Sequence, residues 1–413
     1  MSRSIIRHVN AAAGSAAEID ESCSALKFGH SEGFLVALRQ RVDDYFAATG
    51  LSKRDCPQMY LKTAIILVWC CASWAVLVFG VSHFWTAVLA AVSLGFSMSA
   101  VGFNVQHDAS HQAYSRRRWV NSLMAMTLDV LGGSSYFWKR THNLVHHSFT
   151  NITGHDGDID LGALGRLSPH QPRYWYHRWQ HLYLWFLYGF LPVKWQFVDD
   201  TLGLVKGRIG HYQYLRPTGR DLAVLLGGKL LFLTLAFGIP LYFHPWYAVL
   251  GFYFLTSFAQ GLLLSVVFQL AHCLEEAEFP MPQETTGRIE HDWAVHQVET
   301  TVDCARDNRL LSWFVGGLNF QVEHHLFPQI CHIHYPAISR VVEETCGEFG
   351  LRYRCNETIL GAIRSHYRWL QRLGRSASAD SRAMPGDRLQ MDFYKAYRSR
   401  VTVQTTRTFP NDG

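Results

Sequence analysis

Histidine is the residue whose spacing along this chain could support chemistry. The sequence of 413 residues has 22 histidines, and seven of them fall into three short groups that read HDASH, HNLVHH and QVEHH. A four-residue spacing places two imidazoles on one face of a helix, and neutral imidazole is the commonest metal ligand among side chains. The three groups contain His107, His111, His142, His146, His147, His324 and His325.

Three tight groups of histidine exceed what packing or a single ion would need. A lone buried histidine is ordinarily a polar residue satisfied by its own hydrogen bonds, and zinc, with about four ligands, would leave several of these rings unexplained. We therefore predict a site for two transition-metal ions, and favour iron because it accepts more ligands and keeps positions for dioxygen. Beside a bilayer such a centre could remove hydrogen from unactivated methylenes, which acyl chains supply.

The elements that must position these histidines are long apolar helices. The sequence is 48% hydrophobic and 17% charged, whereas about a quarter of the residues of a soluble domain are charged. A run of about 20 apolar residues crosses a bilayer as a helix. Four such runs predict membrane-spanning helices at 61–79, 84–103, 222–243 and 246–270.

The charges beside the four runs set the expected topology. The links within the two pairs of runs are short and carry no lysine or arginine, while the segment between the pairs is rich in both. By the positive-inside rule the N-terminus, this long segment and the C-terminal region are cytoplasmic. The expected fold is an all-α, multi-pass integral membrane protein, with four transmembrane helices in two hairpins and a cytoplasmic helical cap that holds the histidine-rich di-metal site. His272, just past the fourth run, falls at the level of His107 in this topology.

Three further segments have a predicted role in the fold. The pattern from Phe34 predicts an amphipathic helix that lies either on the membrane surface or against the protein. The apolar stretch at 182–193 is too short to span and predicts an interfacial or re-entrant helix. Lys229 lies inside the third run, where a charge is costly, so its side chain is expected to extend to the cytoplasmic interface. The expected domain boundaries are a flexible N-terminal tail at 1–33, one domain at 34–373 and a weakly ordered C-terminal tail at 374–413.

The three histidine groups, in this order around two hairpins, resemble the three histidine boxes of the membrane fatty acid desaturases. The glutamine that opens the third group, inside GGLNFQVEHHLFP, is similar to the front-end and related bacterial acyl desaturase branch. The similarity extends to TNITGHDGDIDLG after the second group and to FQLAHCLEEAEFP after the fourth run, and it covers residues 34–373. It implies an oxidoreductase that introduces a double bond into an acyl chain carried by coenzyme A or by a membrane lipid.

The resemblance also implies roles for particular residues. Two non-haem iron ions would be bound by the histidines of the three boxes together with His272, with dioxygen as the co-substrate. Gln321 occupies a ligand position, but an amide is a weaker ligand than imidazole, so it either binds iron or orients a neighbour. Asp108, Asn143 and Glu323 lie inside the boxes and are expected to orient ligand rings. Because the chain lacks the HPGG haem motif of fused cytochrome b5 domains, electrons would come from a separate donor of the ferredoxin or cytochrome b5 type.

Other functions remain open on the sequence alone. The same centre could hydroxylate an acyl chain, since oxygen rebound can replace the second hydrogen abstraction. A membrane metal transporter or a haem protein also uses histidines, although a transporter places its ligands near the bilayer midplane and a haem needs paired axial ligands. Nucleic acid is not an expected partner, because the basic residues adjoin apolar runs.

Two neighbouring motifs are expected to serve the site indirectly or not at all. The aspartates of DGDID, Asp156 and Asp158 among them, lack the spacing of a calcium loop and are expected to hydrogen bond near the centre. His332 and His334 follow Pro328, which should end the helix of the third group, so both rings are expected to turn away from the metals.

Overall fold

The structure is a computed structural model that describes residues 26–209, 212–283 and 285–375, and these residues are mostly helical. The tail residues 1–25 and 376–413, for which the sequence predicts weak order, lie outside the described residues. The α-helices in chain order are α1 (Phe34–Thr49), α2 (Pro57–Ala75), α3 (Phe84–Ala100), α4 (His107–Ser110), α5 (Arg118–Ala125), α6 (Thr127–Val130), α7 (Ser135–Trp138), α8 (His147–Phe149), α9 (Gln180–Tyr188), α10 (Leu191–Lys194), α11 (Asp200–Lys206), α12 (Gly219–Leu233), α13 (Ile239–Phe243), α14 (Trp246–His272), α15 (Trp293–Thr300), α16 (Arg309–Phe314), α17 (Gln321–Leu326), α18 (Tyr335–Glu348) and α19 (Ile359–Gly374).

Shorter elements connect these helices. Strand β1 pairs antiparallel with β2, and β3 pairs in parallel with β4. The strands are β1 (Arg208–Ile209), β2 (Tyr212–Gln213), β3 (Asp303–Cys304) and β4 (Cys355–Asn356). Segments of π-helix cover Val76–Gly80, Val101–Gln106, Lys139–His146, Trp195–Asp199 and Thr234–Gly238, and 3₁₀-helices cover Gly157–Ile159, Gly162–Leu164, Trp175–Trp179 and His332–His334.

Four helices of the described chain are long and apolar enough to cross a membrane, which confirms the four predicted runs. In three of them a π-helical segment continues the α-helix. In the second helix this segment extends the helix beyond its predicted end, and the last turn carries His107. We call these helices spans 1 to 4. They are Pro57–Gly80, Phe84–Ser110, Gly219–Phe243 and Trp246–His272.

Spans 2 and 4 form the centre of the helix bundle. In their most apolar windows 56% and 44% of the residues are buried, against 22% in span 1 and 11% in span 3. The two central helices approach closely, because a Cβ at Gly95 would lie 2.6 Å from the carbonyl oxygen of Thr256. The Ser99 hydroxyl also donates to the Gln260 carbonyl at 3.3 Å. Small residues at such a contact allow two membrane helices to pack backbone to backbone.

We expect Gly95→Val to lower the thermal stability of the purified protein, because the new side chain would overlap span 4. Overpacking a close contact costs about 1–3 kcal/mol. Gly251→Val is the matched control, since Gly251 also lies in a span and a Cβ there meets nothing within 4 Å. Thermal unfolding in detergent measures the difference, and equal midpoints for the two variants would contradict the close contact.

The short apolar stretch folds as α9 and α10 and packs against span 4. Gly189 and Gly261 meet at this contact, where a Cβ on Gly261 would lie 2.5 Å from the Gly189 carbonyl oxygen. The ring of Phe258 fills the space beside Gly189, and Leu184 and Tyr188 are buried. The sequence predicted an interfacial or re-entrant helix here. In the structure the stretch is helical, and span 4 covers one side of it.

Lys229, which the sequence predicted to extend to the cytoplasmic interface, has its ammonium group bound by acceptors of the protein. Its Nζ donates to the carbonyl oxygens of Gly132 at 2.5 Å and Gln196 at 2.7 Å, and to Oδ2 of Asp200 at 2.7 Å. The ammonium group is satisfied inside the protein because these three acceptors lie within its reach, so it does not need water at the interface.

The apolar face of α1 is covered by protein rather than by lipid. Phe34 and Leu38 are fully buried and pack in one cluster with residues of α15, α17 and α18. The sequence left two positions open for this helix, on the membrane surface or against the protein, and in the structure it packs against the protein. Before α1, Leu26 and Phe28 pack against the cluster around Ile152.

Candidate metal centre

Four parts of the chain bring the predicted histidines together. The last turns of span 2 present the first group, the π-helical segment Lys139–His146 with α8 presents the second, and α17 presents the third. Span 4 ends at His272. All eight side chains are buried, with at most 7% of any residue exposed.

The eight rings form two clusters of nitrogens that could bind metal. Within each cluster the ligand nitrogens all lie within 4.8 Å of one another. His147 joins the two, because it also groups with His324 and His325, and its Nε2 lies 3.0 Å from Nε2 of His324. The first cluster comprises His107, His111, His142 and His324, and the second comprises His146, His272 and His325.

A π-helix arranges the rings of the second histidine group. Lys139–His146 is a continuous π-helical segment of eight residues, a rare form that often occurs at functional sites. The rings of His142 and His146 stack with centroids 5.1 Å apart. Trp138 stacks on the other side of His142, with centroids 4.6 Å apart. The two histidines thus lie side by side, one in each cluster.

Hydrogen bonds at Nδ1 orient the rings. Both carboxylate oxygens of Asp156 lie 3.0 Å from Nδ1 of His146, and Oε1 of Gln297 accepts from Nδ1 of His325 at 2.9 Å. Such partners fix the tautomer and leave Nε2 of the same ring free to face a metal. Longer contacts at Nδ1 run from His142 to Asp158 at 3.4 Å, from His272 to the Thr300 carbonyl at 3.3 Å and from His324 to the Tyr335 hydroxyl at 3.3 Å.

These partners were only partly visible in the sequence. The expected hydrogen bonding of Asp156 and Asp158 near the centre is confirmed. Gln297, Thr300 and Tyr335 were missed, because none lies inside a histidine group and no spacing in the sequence marks them. The packing of the fold brings each of them beside a ligand ring, and neighbouring residues along the chain give no sign of it.

The clusters fit metal ions by the chemistry of their unpaired atoms. Within the described part of the chain, the buried polar atoms near the clusters that have no hydrogen-bond partner include Nε2 of His111, Nε2 of His325 and Oε1 of Gln321. An unsatisfied buried polar group costs about 1–3 kcal/mol. A metal ion bound to these lone pairs would remove that cost.

The electrostatic surroundings differ among the rings. Burial, followed by repulsion from neighbouring rings, lowers the pKa of His111 and His147 well below the usual value, and the neutral imidazole is the form that binds metal. Burial acts in the same direction on His146, but the charges of Asp156 and Asp158 outweigh it and raise the pKa of His146 to about 9. The two carboxylates therefore favour positive charge at this position, which a metal ion would supply.

Asp108, a predicted orienting residue, holds a histidine outside the clusters. Its Oδ2 lies 2.8 Å from Nδ1 of His332, and Nζ of Lys62 lies 2.9 Å from Nε2 of the same ring. His334 contacts the Sγ of Cys56 at 3.2 Å. The rings of His332 and His334 are thus engaged away from the two clusters, in agreement with the sequence prediction.

Asn143 and Glu323, the other two predicted orienting residues, bind groups other than the ligand rings. Asn143 donates through Nδ2 to the Ser110 carbonyl at 2.8 Å, which ties the second histidine group to the end of span 2. Glu323 accepts from the Tyr353 hydroxyl at 2.9 Å. Both side chains hold the backbone elements that carry ligand rings rather than the rings themselves.

Two cavities meet beside the first cluster. The smaller covers about 360 Å³ when space open to solvent is counted, and it is bordered by residues of both clusters and by Gln321. The larger covers about 510 Å³ on the same basis, and it is bordered by His107 and by residues of spans 2 and 4. His107, Phe268 and Leu318 border both cavities. Apart from His107 and three glutamines, the larger cavity is lined by apolar residues and glycines.

Comparison with known proteins identifies the family. A sequence model of the Fatty acid desaturase family matches residues 82–357. The chain is 44% identical over 352 residues to an sn-1 linoleoyl-lipid 6-desaturase of Arthrospira platensis, covering 85% of this chain and 95% of that protein. It is 41% identical to an sn-1 linoleoyl-lipid 6-desaturase of Synechocystis, with 85% and 98% covered. It is 36% identical to an acyl-lipid (8-3)-desaturase of Physcomitrium patens, with 83% and 72% covered. The chain therefore belongs to the fatty acid desaturase family, whose members are membrane oxidoreductases that act on fatty acyl chains.

Proposed function

We propose that this desaturase introduces a double bond at carbon 6 of a linoleoyl chain carried by a membrane lipid, using two iron ions held by the two histidine clusters. The observation that carries the proposal is the junction of two buried histidine clusters with an apolar cavity that begins at His107. The substrate and the position of the double bond are those named for the relatives from Arthrospira and Synechocystis, whose lengths the similarity almost fully covers.

The assignment of ligands follows the clusters. One iron would be bound by the first cluster and the other by the second, with His147 between them and Gln321 at the edge of the smaller cavity. Bound iron would supply the oxidising power for a reaction in which dioxygen, two electrons, two protons and two hydrogens from neighbouring methylenes give a carbon–carbon double bond and two waters. The protein holds the rings in one tautomer and keeps the centre buried.

The larger cavity would hold the acyl chain. Met98, Leu264 and Phe268 are among its apolar lining residues, and a largely apolar cavity with few polar groups is typical of a site for an apolar ligand. Met98 precedes His107 by nine residues in span 2, so the cavity extends along the helix for about 13 Å from the first cluster. A chain in this cavity would pass its methylenes beside His107 and exclude water from them.

The membrane arrangement and the electron supply belong to the same proposal. Spans 1 and 2 and spans 3 and 4 would form two hairpins, with the clusters on the cytoplasmic side in accordance with the positive-inside rule. Electrons would arrive from a separate ferredoxin or cytochrome b5. Arg116, Arg117 and Arg118, exposed just beyond the first histidine group, support the approach of an acidic donor to this side.

The proposal is tested by expressing the chain in a host that makes linoleoyl lipids and lacks a carbon 6 desaturase. We expect a trienoic acid with a new double bond at carbon 6, located by mass spectrometry of derivatised methyl esters. A hydroxy acid in place of the triene, or a new bond at another carbon only, would contradict the proposed reaction or its position.

Gln321, which occupies a ligand position in the third histidine group, provides a prediction about the metal centre. Its unpaired Oε1 borders the smaller cavity, so Gln321→Leu is expected to lower activity by roughly 10- to 100-fold, the usual loss when a ligand or its orienting partner is removed. Gln321→His, which offers a ring nitrogen at the same place, is the matched variant and should retain more activity and more iron than the leucine variant. Equal activity of Gln321→Leu and wild type would contradict a role at the metals.

A further inference from the structure

One wall of the larger cavity is formed by two loops that a single lysine holds. The wall includes Leu131 and Gly133 from the turn between α6 and α7, and Gln196 from the π-helical segment after α10. Lys229 of span 3 donates to the carbonyl oxygens of both segments, at Gly132 and at Gln196. The turn, the π-helical segment and span 3 therefore meet at the ammonium group of Lys229.

Gln196 extends this network to span 4. Its Nε2 donates to the Leu131 carbonyl at 3.0 Å, and its Oε1 accepts from the Tyr253 hydroxyl at 2.6 Å. Tyr253 lies about two turns further from the clusters than Gln260, another lining residue of the same span. Gln196 therefore belongs to the end of the cavity that is remote from His107.

Lys229 is paired with a buried acid. Its Nζ lies 2.7 Å from Oδ2 of Asp200, and the two side chains are only 19% and 8% exposed. Removal of one partner would leave an uncompensated charge in a buried place, which is strongly unfavourable. Only 11% of the most apolar window of span 3 is buried, so the buried ion pair is a polar attachment of a span that is mostly exposed. Gly132 and Gly228 permit the close approach, because a Cβ on Gly132 would meet the ring of Phe232 at 2.8 Å.

We propose that the Lys229–Asp200 pair is a positioning device that fixes the remote wall of the acyl cavity and so limits the length of acyl chain that the enzyme accepts. The inference rests on the proposed function, because it takes the larger cavity as the site of the acyl chain. An apolar pocket discriminates by roughly 10- to 200-fold against one methylene too many. The pocket can reject a longer chain only if its wall does not shift to make room. Lys229 holds both segments of this wall in place.

The test compares acyl chains of different length in cells that express each variant. The measured quantity is the ratio of desaturated product from a chain two carbons longer than linoleoyl to product from linoleoyl itself. We expect Lys229→Met to raise this ratio by roughly tenfold, while Lys229→Arg, which keeps the positive charge, stays near wild type. Lys194→Met is the matched control, because Lys194 forms an exposed ion pair with Asp199 in the same segment, and it should leave the ratio unchanged.

A second variant keeps the proposal testable if Lys229→Met fails to fold. Tyr253→Phe removes only the hydroxyl that holds Gln196, and we expect it to shift the ratio in the same direction by a smaller factor. A readout without turnover is the thermal stabilisation of purified protein by acyl chains of increasing length. The longest chain that still stabilises should be longer for Tyr253→Phe and for folded Lys229→Met than for wild type.

The outcomes separate this inference from the proposed function. If wild type makes no desaturated product, the proposed function fails. If wild type is active and folded Lys229→Met and Tyr253→Phe keep the wild-type ratio with only a lower rate, the proposed function stands and the role of the ion pair in chain length is overturned.

Discussion

Replacement of His107, His146 or His325 by alanine is expected to abolish the new double bond while the protein still inserts into the membrane. His107 belongs to the first cluster, and the other two belong to the second. Each ring is buried and directs a nitrogen into its cluster, and alanine offers no atom that could bind metal in its place. Mass spectrometry of fatty acid methyl esters measures the product, and an immunoblot of the membrane fraction measures insertion.

A histidine remote from the clusters is the control for this experiment. His83 is exposed and immediately precedes span 2, so His83→Ala should retain wild-type product. If any one of the three cluster variants made product at the level of His83→Ala, that ring would not be an essential ligand.

Asp156→Asn is expected to lower activity by roughly 10- to 100-fold without loss of the fold, a typical effect of removing the partner that orients a metal-binding histidine. Asp156 binds Nδ1 of His146 with both oxygens and also accepts from the backbone amides of Asn151 and Asp158 at 2.9 Å. Asparagine keeps the shape but removes the negative charge that favours positive charge at His146. The rate of product formation in membranes, normalised to protein, measures the effect.

Asp160→Asn in the same loop is the matched control. Asp160 is exposed and its Oδ1 accepts from the backbone amide of Gly162 at 2.8 Å, so this substitution should change the rate by less than about twofold, as surface substitutions usually do. Equal rates for Asp156→Asn and Asp160→Asn would contradict an orienting role for Asp156.

The histidine groups could be found from the sequence because their spacing is local. His107 and His111 are four residues apart on one helix face, and vicinal pairs such as His324 and His325 stand out in any segment. The four spans were equally visible, since the length and apolarity of a run decide whether it can cross a membrane. Both patterns can be recognised from residues that are close together along the chain.

The orienting partners could not be found in the same way. Gln297 precedes His325 by 28 residues, and no property of Gln297 in the sequence distinguishes it from other glutamines. Lys229 shows the same limit: its charge inside an apolar run is visible, but Asp200 becomes its partner only when α11 packs beside span 3. The face of α1 is a third case, because an apolar stripe has the same pattern whether lipid or protein covers it.

The iron content of the purified protein is the most direct measure of the two-cluster metal centre. Two clusters of buried histidines, joined by His147, predict two iron ions per chain by mass spectrometry of the metals, with no comparable amount of zinc. The His146→Ala and His107→Ala variants, each altered in a different cluster, should both retain less iron. A folded wild-type protein that makes product with one iron or none per chain would contradict the two-cluster metal centre.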